Sequence, residues 1–208
     1  GWMVYRVFSG SFGYFSTLFI NQRARKLILA HRGTNSLGAL LTDLKGIVNH
    51  RYTKQQSSCI AATEKSVQIA KQIKYSLSFT GHSLGAALAT LMAFDILNEF
   101  QNYNLKYLTT YGSPRVGNKE FSSIMNGYDY TSYRVVHYYD IVPHVPEEFM
   151  GYSHISNEIW YNEENNHYTI CNDNEEEDNS CSNSCAPTHC TSVSDHLYYL
   201  NVSMGSGE

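Results

Sequence analysis

The sequence predicts an α/β fold: a mostly parallel central sheet with helices on both faces. Short apolar runs alternate with segments of helical periodicity along the chain. A G-x-S-x-G turn stands between a strand-like run and an Ala/Leu-rich helical run. Gly112 and Asp140 each follow a strand-like run directly, as Ser83 does, which gathers chemistry at one sheet edge, where parallel sheets build their sites.

The elements follow in order. Residues 13–20 (GYFSTLFI) and 26–31 (KLILAH) read as a hairpin through the polar turn 21–25, and 32–36 is a second turn. Leu37, Leu40 and Leu41 fall at helical spacing within 36–42. From 59 to 74, Cys59, Ala62, Thr63, Ser66, Ile69, Ala70 and Ile73 oppose Glu64, Lys65, Gln68, Lys71 and Gln72, an amphipathic helix. Residues 77–80 are a strand, 81–85 the turn and 86–97 a helix. Residues 106–111 form a strand, 118–124 a short helix and 132–139 a strand ending at Asp140. Residues 151–161 and 166–171 form a late strand pair, 172–194 a cysteine loop, and 195–200 begin the last element.

The 208 residues suffice for one domain over 1–208. Net charge is −4 with mixed signs, which argues against a nucleic-acid partner, and no apolar run reaches membrane-spanning length. No signal peptide is visible, and Gly1-Trp2-Met3-Val4 reads as the start of a mature or trimmed chain. Of five cysteines, Cys171, Cys181, Cys185 and Cys190 share one Asn/Ser/Asp-rich segment. Two local disulfides and a secretory compartment are the leading reading. Zinc is the rival because His189 adjoins Cys190, but paired C-x₂-C spacings are lacking. Cys59 is left as a buried or free thiol. The acidic run Glu175-Glu176-Glu177-Asp178 reads as a solvated loop, with calcium binding as its alternative.

Ser83 is the candidate nucleophile, held at a sharp turn and at the head of a helix, where free N–H groups stabilise an oxyanion. A serine hydroxyl needs a histidine to take its proton, and that histidine needs a carboxylate. Asp140 is the best acid because it ends an apolar strand; Asp129, Asp173 and Asp178 read as solvated. Among nine histidines, His82 points away from the serine as packing, His31 and His137 read as satisfied core, and His50 precedes the serine. His196 ranks first of the rest, with His144, His154, His167 and His189 still open. The order Ser, Asp, His suits an α/β-hydrolase arrangement.

Five stretches in order carry a resemblance: His31-Arg32-Gly33-Thr34-Asn35-Ser36-Leu37 with Asp43-Leu44, Gly81-His82-Ser83-Leu84-Gly85-Ala86, Tyr111-Gly112-Ser113-Pro114-Arg115-Val116-Gly117-Asn118, Asp140-Ile141-Val142-Pro143-His144-Val145-Pro146, and Asp195-His196-Leu197. They resemble the class 3 lipases, the fungal-type triacylglycerol lipases, over most of the chain from about residue 12. The resemblance implies an α/β-hydrolase fold with Ser83 as nucleophile, Asp140 as orienting acid and His196 as base. It implies an oxyanion hole from the N–H groups of Leu84 and Thr34, helped by the Thr34 hydroxyl; Thr34 reads equally as a turn or cap residue. Residues 35–42, with Leu37, Leu40 and Leu41, would form an apolar lid, or else an ordinary core helix. Val145, Pro146, Met150 and Leu197 would line an acyl groove, or else plain core. Cys171 and Cys181 resemble a family disulfide, with Cys185 and Cys190 as an extra bridge.

The chain departs from the pattern in a shorter N-terminal region. The H-x-G-F segment is lacking, with Asn49-His50-Arg51-Tyr52 near its place, and Leu40 replaces a lid aromatic beside Gly38. The implied function is a secreted serine hydrolase acting on acylglycerol esters at an oil–water interface, with no metal or cofactor. The alternatives are a phospholipase A1, a feruloyl-type esterase, and a silent lipase-like binding protein. A disulfide-rich recognition module would explain only residues 171–190.

Overall fold

The computed structural model describes residues 1–33, 53–99, 105–172, 177–185 and 189–204. Thr34, Leu37, Leu40 and Leu41 lie outside the described residues, as do His50 and Asp173. The strands are β1 (Met3–Ser9), β2 (Phe15–Asn21), β3 (Lys26–His31), β4 (Ser76–His82), β5 (Leu105–Tyr111), β6 (Gly117–Asn118), β7 (Thr131–His137), β8 (Tyr152–Ser153), β9 (Glu158–Tyr161) and β10 (Tyr168–Ile170). The helices are α1 (Thr53–Ile73), α2 (Leu84–Glu99), α3 (Lys119–Asn126) and α4 (Val193–His196), followed by β11 (Tyr198–Tyr199) and β12 (Val202–Ser203).

The main sheet runs β1-β2-β3-β4-β5-β7-β9-β10. β3, β4, β5, β7 and β9 pair in parallel, and antiparallel hairpins stand at both ends. β2 and β3 form the hairpin the sequence predicts: Leu18, Ile20, Leu27 and Leu29 are buried on alternate positions, and the turn closes through Ala24 N–H donating to Asn21 Oδ1 at 2.9 Å. On β4 and β5 the inward residues are Leu77, Phe79, Leu105 and Leu108.

α1 and α2 pack on each other and against the sheet. The α1 face of Cys59, Ala62, Thr63, Ser66, Val67, Ile69 and Ala70 is buried, and Ser66 Oγ donates to Ala62 O at 2.8 Å. α2 buries Ala86, Ala87, Leu88, Ala89, Met92, Ala93 and Ile96, so truncating Leu88 or Met92 to Ala costs about 2–5 kcal/mol. Its small residues let the helix lie close to β4.

Several sequence expectations need correction. β1 escaped notice: Trp2, Met3, Val4, Tyr5 and Val7 are all exposed, so no alternation betrays it. α1 starts at Thr53, six residues before the amphipathic face begins. The long strand read over 151–161 is two short pieces, β8 and β9. Asp178 and Glu177 are not solvated. Asp178 is buried and its carboxylate accepts from Asn172 N–H (2.8 Å), Ser180 N–H (2.8 Å) and the Ser180 hydroxyl (2.7 Å). Those donors, the Asn172 amide first, hold it below the usual carboxylate range. Glu177 pairs with Arg115, a fully buried guanidinium, through Nε and Nη2 at 2.8 Å each. Cys171 bonds Cys181 and Cys185 bonds Cys190, so those sulfurs are taken, while Cys59 is a free, buried thiol.

Candidate active site

β4 hands the chain to α2 through Ser83, whose φ of 59° lies in the left-handed region. Neighbouring elements hold it there. Ser83 N–H donates to Tyr111 O at 3.0 Å, and Ser83 O accepts from Ala86 N–H at 2.9 Å. A Cβ on Gly81 would strike the Gly85 carbonyl, and one on Gly85 would strike His31 O, so only glycine permits this approach of helix to strands. Leu84 opens α2, and its N–H has no carbonyl partner within the helix, the property an oxyanion donor needs.

Asp140 is fully buried just beyond β7. Its Oδ1 accepts from Val142 N–H at 2.8 Å, and its two oxygens accept from His196 Nδ1 at 3.0 and 2.9 Å. With Nδ1–H donating, His196 Nε2 carries the free lone pair. His196 ends α4, whose N-cap Ser192 accepts from Asp195 N–H at 3.1 Å. The 192 segment is stitched to the acid's own strand: Ile141 N–H donates to Ser192 O (3.2 Å), and Ser192 N–H donates to Tyr139 O (3.0 Å).

Three further residues complete the cluster: Tyr199, which sequence reasoning passed over, Gly112, which it placed only at a strand end, and His82, which it read as packing. Tyr199 donates its hydroxyl to Asp140 Oδ2 and accepts from His137 N–H at 3.2 Å. Burial, then the Asp140 charge, pushes its phenol well above the ordinary value, so it remains a donor. Gly112 has φ +52°, and a Cβ there would lie 2.8 Å from Asp140 Oδ2, 2.9 Å from Tyr199 OH and 3.0 Å from His196 Nδ1. His82 is the third, and its reading as outward packing is corrected: Nε2 meets His196 O at 2.8 Å, and the two rings lie 4.5 Å apart at 30°. A glycine after a strand and a tyrosine three residues past the histidine were the available signals.

The remaining histidines sort by partner. His137 is core: Nδ1 lies 3.0 Å from Asp195 O, to which it donates, and Nε2 accepts from the Asn165 side-chain amide at 2.8 Å. His31 is core beside Tyr14 OH (3.2 Å) and Cys59 Sγ (3.5 Å); its buried Nε2 has no partner among the described residues, and burial lowers its pKa to about 3. His154 meets Pro143 O at 2.7 Å, and His144 is buried. His167 is exposed against Asn166, and His189 is exposed. Of the groove residues, Pro146 is buried and Val145 half-buried, while Met150 and Leu197 are exposed at 50% and 40%. The segment 145–150, which carries the first three, is anchored by Arg115, whose Nη1 donates to Pro146 O at 3.0 Å.

The class 3 lipase family model matches residues 28–150, and the chain belongs to this family. The chain is 32% identical to a lipase of Rhizopus niveus over 203 residues, covering 89% of this chain and 50% of that protein. It is 40% identical to the secreted mono- and diacylglycerol lipase A of Penicillium cyclopium over 98 residues, 47% of this chain and 31% of that one. Its structure matches a triacylglycerol lipase whose catalytic centre is a serine protease triad. That match has a TM-score of 0.84 and 26% identity, over 98% of this chain and 82% of the other. The fold is the α/β-hydrolase fold. The chain spans half the length of the Rhizopus relatives it matches.

Proposed function

We propose that this chain is a serine carboxylester hydrolase of the lipase type, acting on acylglycerols by way of an acyl-enzyme. The carrying observation is the buried Asp140–His196 pair, at 2.9 and 3.0 Å, lying against the residue that precedes the elbow serine. In this reading Ser83 Oγ attacks the ester carbonyl carbon while His196 Nε2 takes its proton. Asp140 keeps the proton on Nδ1 and stabilises the imidazolium. The tetrahedral oxyanion accepts from the amides of Leu84 and Thr34. The imidazolium then protonates the departing alcohol. Water, deprotonated by the same ring, frees the acid and restores the serine.

The apolar segment 35–42 is proposed as a lid, and Val145, Pro146, Met150 and Leu197 as acyl-contacting residues. Secretion is part of the proposal, supported by the two disulfides and by the name of the Penicillium relative. The decisive experiment is Ser83→Ala on a soluble p-nitrophenyl ester: hydrolysis falls about 10⁴-fold or more. A fully active variant would end the assignment, and failure of a phosphonate to label Ser83 in the parent would favour a silent binding protein. Rates on emulsified triglyceride, phospholipid and methyl ferulate separate lipase from phospholipase and feruloyl esterase. A jump above the triglyceride solubility limit supports the lid.

A further inference from the structure

The geometry points to His82 as a positioning residue: its side chain fixes the distance between the elbow serine and the base by holding the main chain of His196. This rests on the assignment of Ser83 and His196 above.

His196 closes a helix of four residues, so its carbonyl belongs to the terminal set that no later helical N–H reaches. His82 Nε2 lies 2.8 Å from that oxygen. A carbonyl only accepts, so His82 is the Nε2–H tautomer. Burial first, and the neighbouring His196 second, lower its pKa to about 4, so the ring is neutral at working pH. That neutral ring also packs against the His196 ring at a 30° tilt and meets Tyr199 edge-on, with centroids 5.5 Å apart.

Among the described residues, the other side-chain ties to α4 come from the acid's side. His137 Nδ1 holds Asp195 O, Tyr139 N–H holds Asp195 Oδ2 at 3.2 Å, and Asp140 holds the His196 ring by Nδ1. These fix the base relative to β7, on the side of the site away from the serine's strand. The His82 bond comes from β4, one residue from the nucleophile, and ties the base to the serine's side of the site. His82 keeps the alternation of β4 and shares a face with Ser78 and Thr80, opposite buried Leu77 and Phe79.

The test compares His82→Phe, which keeps a ring and removes the donor, with His82→Gln, which can restore an N–H to the carbonyl. On soluble p-nitrophenyl butyrate, His82→Phe lowers kcat about 10- to 100-fold, the size of a small misplacement of catalytic groups. KM stays within about twofold, because substrate binding is untouched. Phosphonate labelling of Ser83 slows by the same factor, and His82→Gln regains most of the rate at unchanged labelling stoichiometry. Wild-type kcat in His82→Phe overturns the inference. So does an equal loss in both variants that follows only their melting temperatures. His196→Ala is the control. If it retains full hydrolysis, the triad reading falls and takes this inference with it. If it is inactive beside a fully active His82→Phe, this inference alone falls.

Discussion

Tyr199 donates to the same Asp140 carboxylate that holds His196, at 2.5 Å from Oδ2, so the group that orients the base is itself oriented. Its hydroxyl also accepts from His137 N–H. Tyr199→Phe therefore strips a charge-assisted hydrogen bond from a fully buried carboxylate and orphans a buried amide. The expected loss is about 1.5–3 kcal/mol of stability, read by urea unfolding, with kcat lowered as well. An unchanged unfolding midpoint would refute this account of the residue.

Gly112 tolerates no side chain. Its φ of +52° would cost Ala about 1–3 kcal/mol from backbone strain alone. The added methyl would also press on Asp140, Tyr199 and His196 together. Gly112→Ala is expected to cut kcat about 100-fold or more, because the acid and base are displaced at once. Steady-state kinetics with a melting curve on the same preparation check both parts.

Arg115 is the anchor of the 145–150 segment. Its guanidinium reaches Glu177 through two atoms, the Pro146 carbonyl, and Glu148 at 3.3 Å. The Glu148 carboxylate is half exposed and contributes little; the Glu177 pair is the strong one. Arg115→Met is expected to cost about 3–5 kcal/mol, since it strands a partly buried carboxylate. Arg115→Lys does not rescue fully, because an ammonium cannot match the two-atom fork. Denaturant midpoints of the two variants and the parent provide the comparison.

Four buried histidines set an acid limit on folding. Burial lowers His31 to about 3 and His144 to about 4, His82 to about 4 with help from His196, and drives His154 well down. Unfolded, each titrates at 6.5, so as pH falls below 6.5 the unfolded chain takes up protons that the folded chain refuses. Stability thus falls from about pH 6.5 toward pH 4, and these groups contribute no slope above about pH 7.5. Each contributes up to about 1.4 kcal/mol per pH unit within that window. His31→Phe removes one such proton, and its stability against pH between 4 and 6 is expected to be shallower by that amount. An identical slope would contradict the assignment.

The strand, turn and helix from 76 to 99 were legible because β4 alternates and α2 is a dense Ala/Leu run that follows a serine flanked by Gly81 and Gly85. Asp140 was legible as a carboxylate at the end of an apolar strand. His196 outranked its four rivals firmly only through the family motifs, since nothing local separates a loop histidine that folds inward from one that stays in water. Glu177 and Asp178 were misread for a related reason: an acidic run looks solvated, and the cation that buries Glu177 is Arg115, 62 positions away. β1 left no trace because both of its faces meet solvent. His82 was misjudged because its partner, the main chain of His196, comes from 114 positions away.

The stretch between Cys171 and His196 is fastened twice by sulfur and again, at Ser192, to the strand that ends in the acid. A protease that nicked the backbone inside either small ring would release no fragment. Both severed ends would stay joined, and the imidazole would keep its seat, so a clipped molecule would migrate as two pieces only after reduction and would retain its turnover until then.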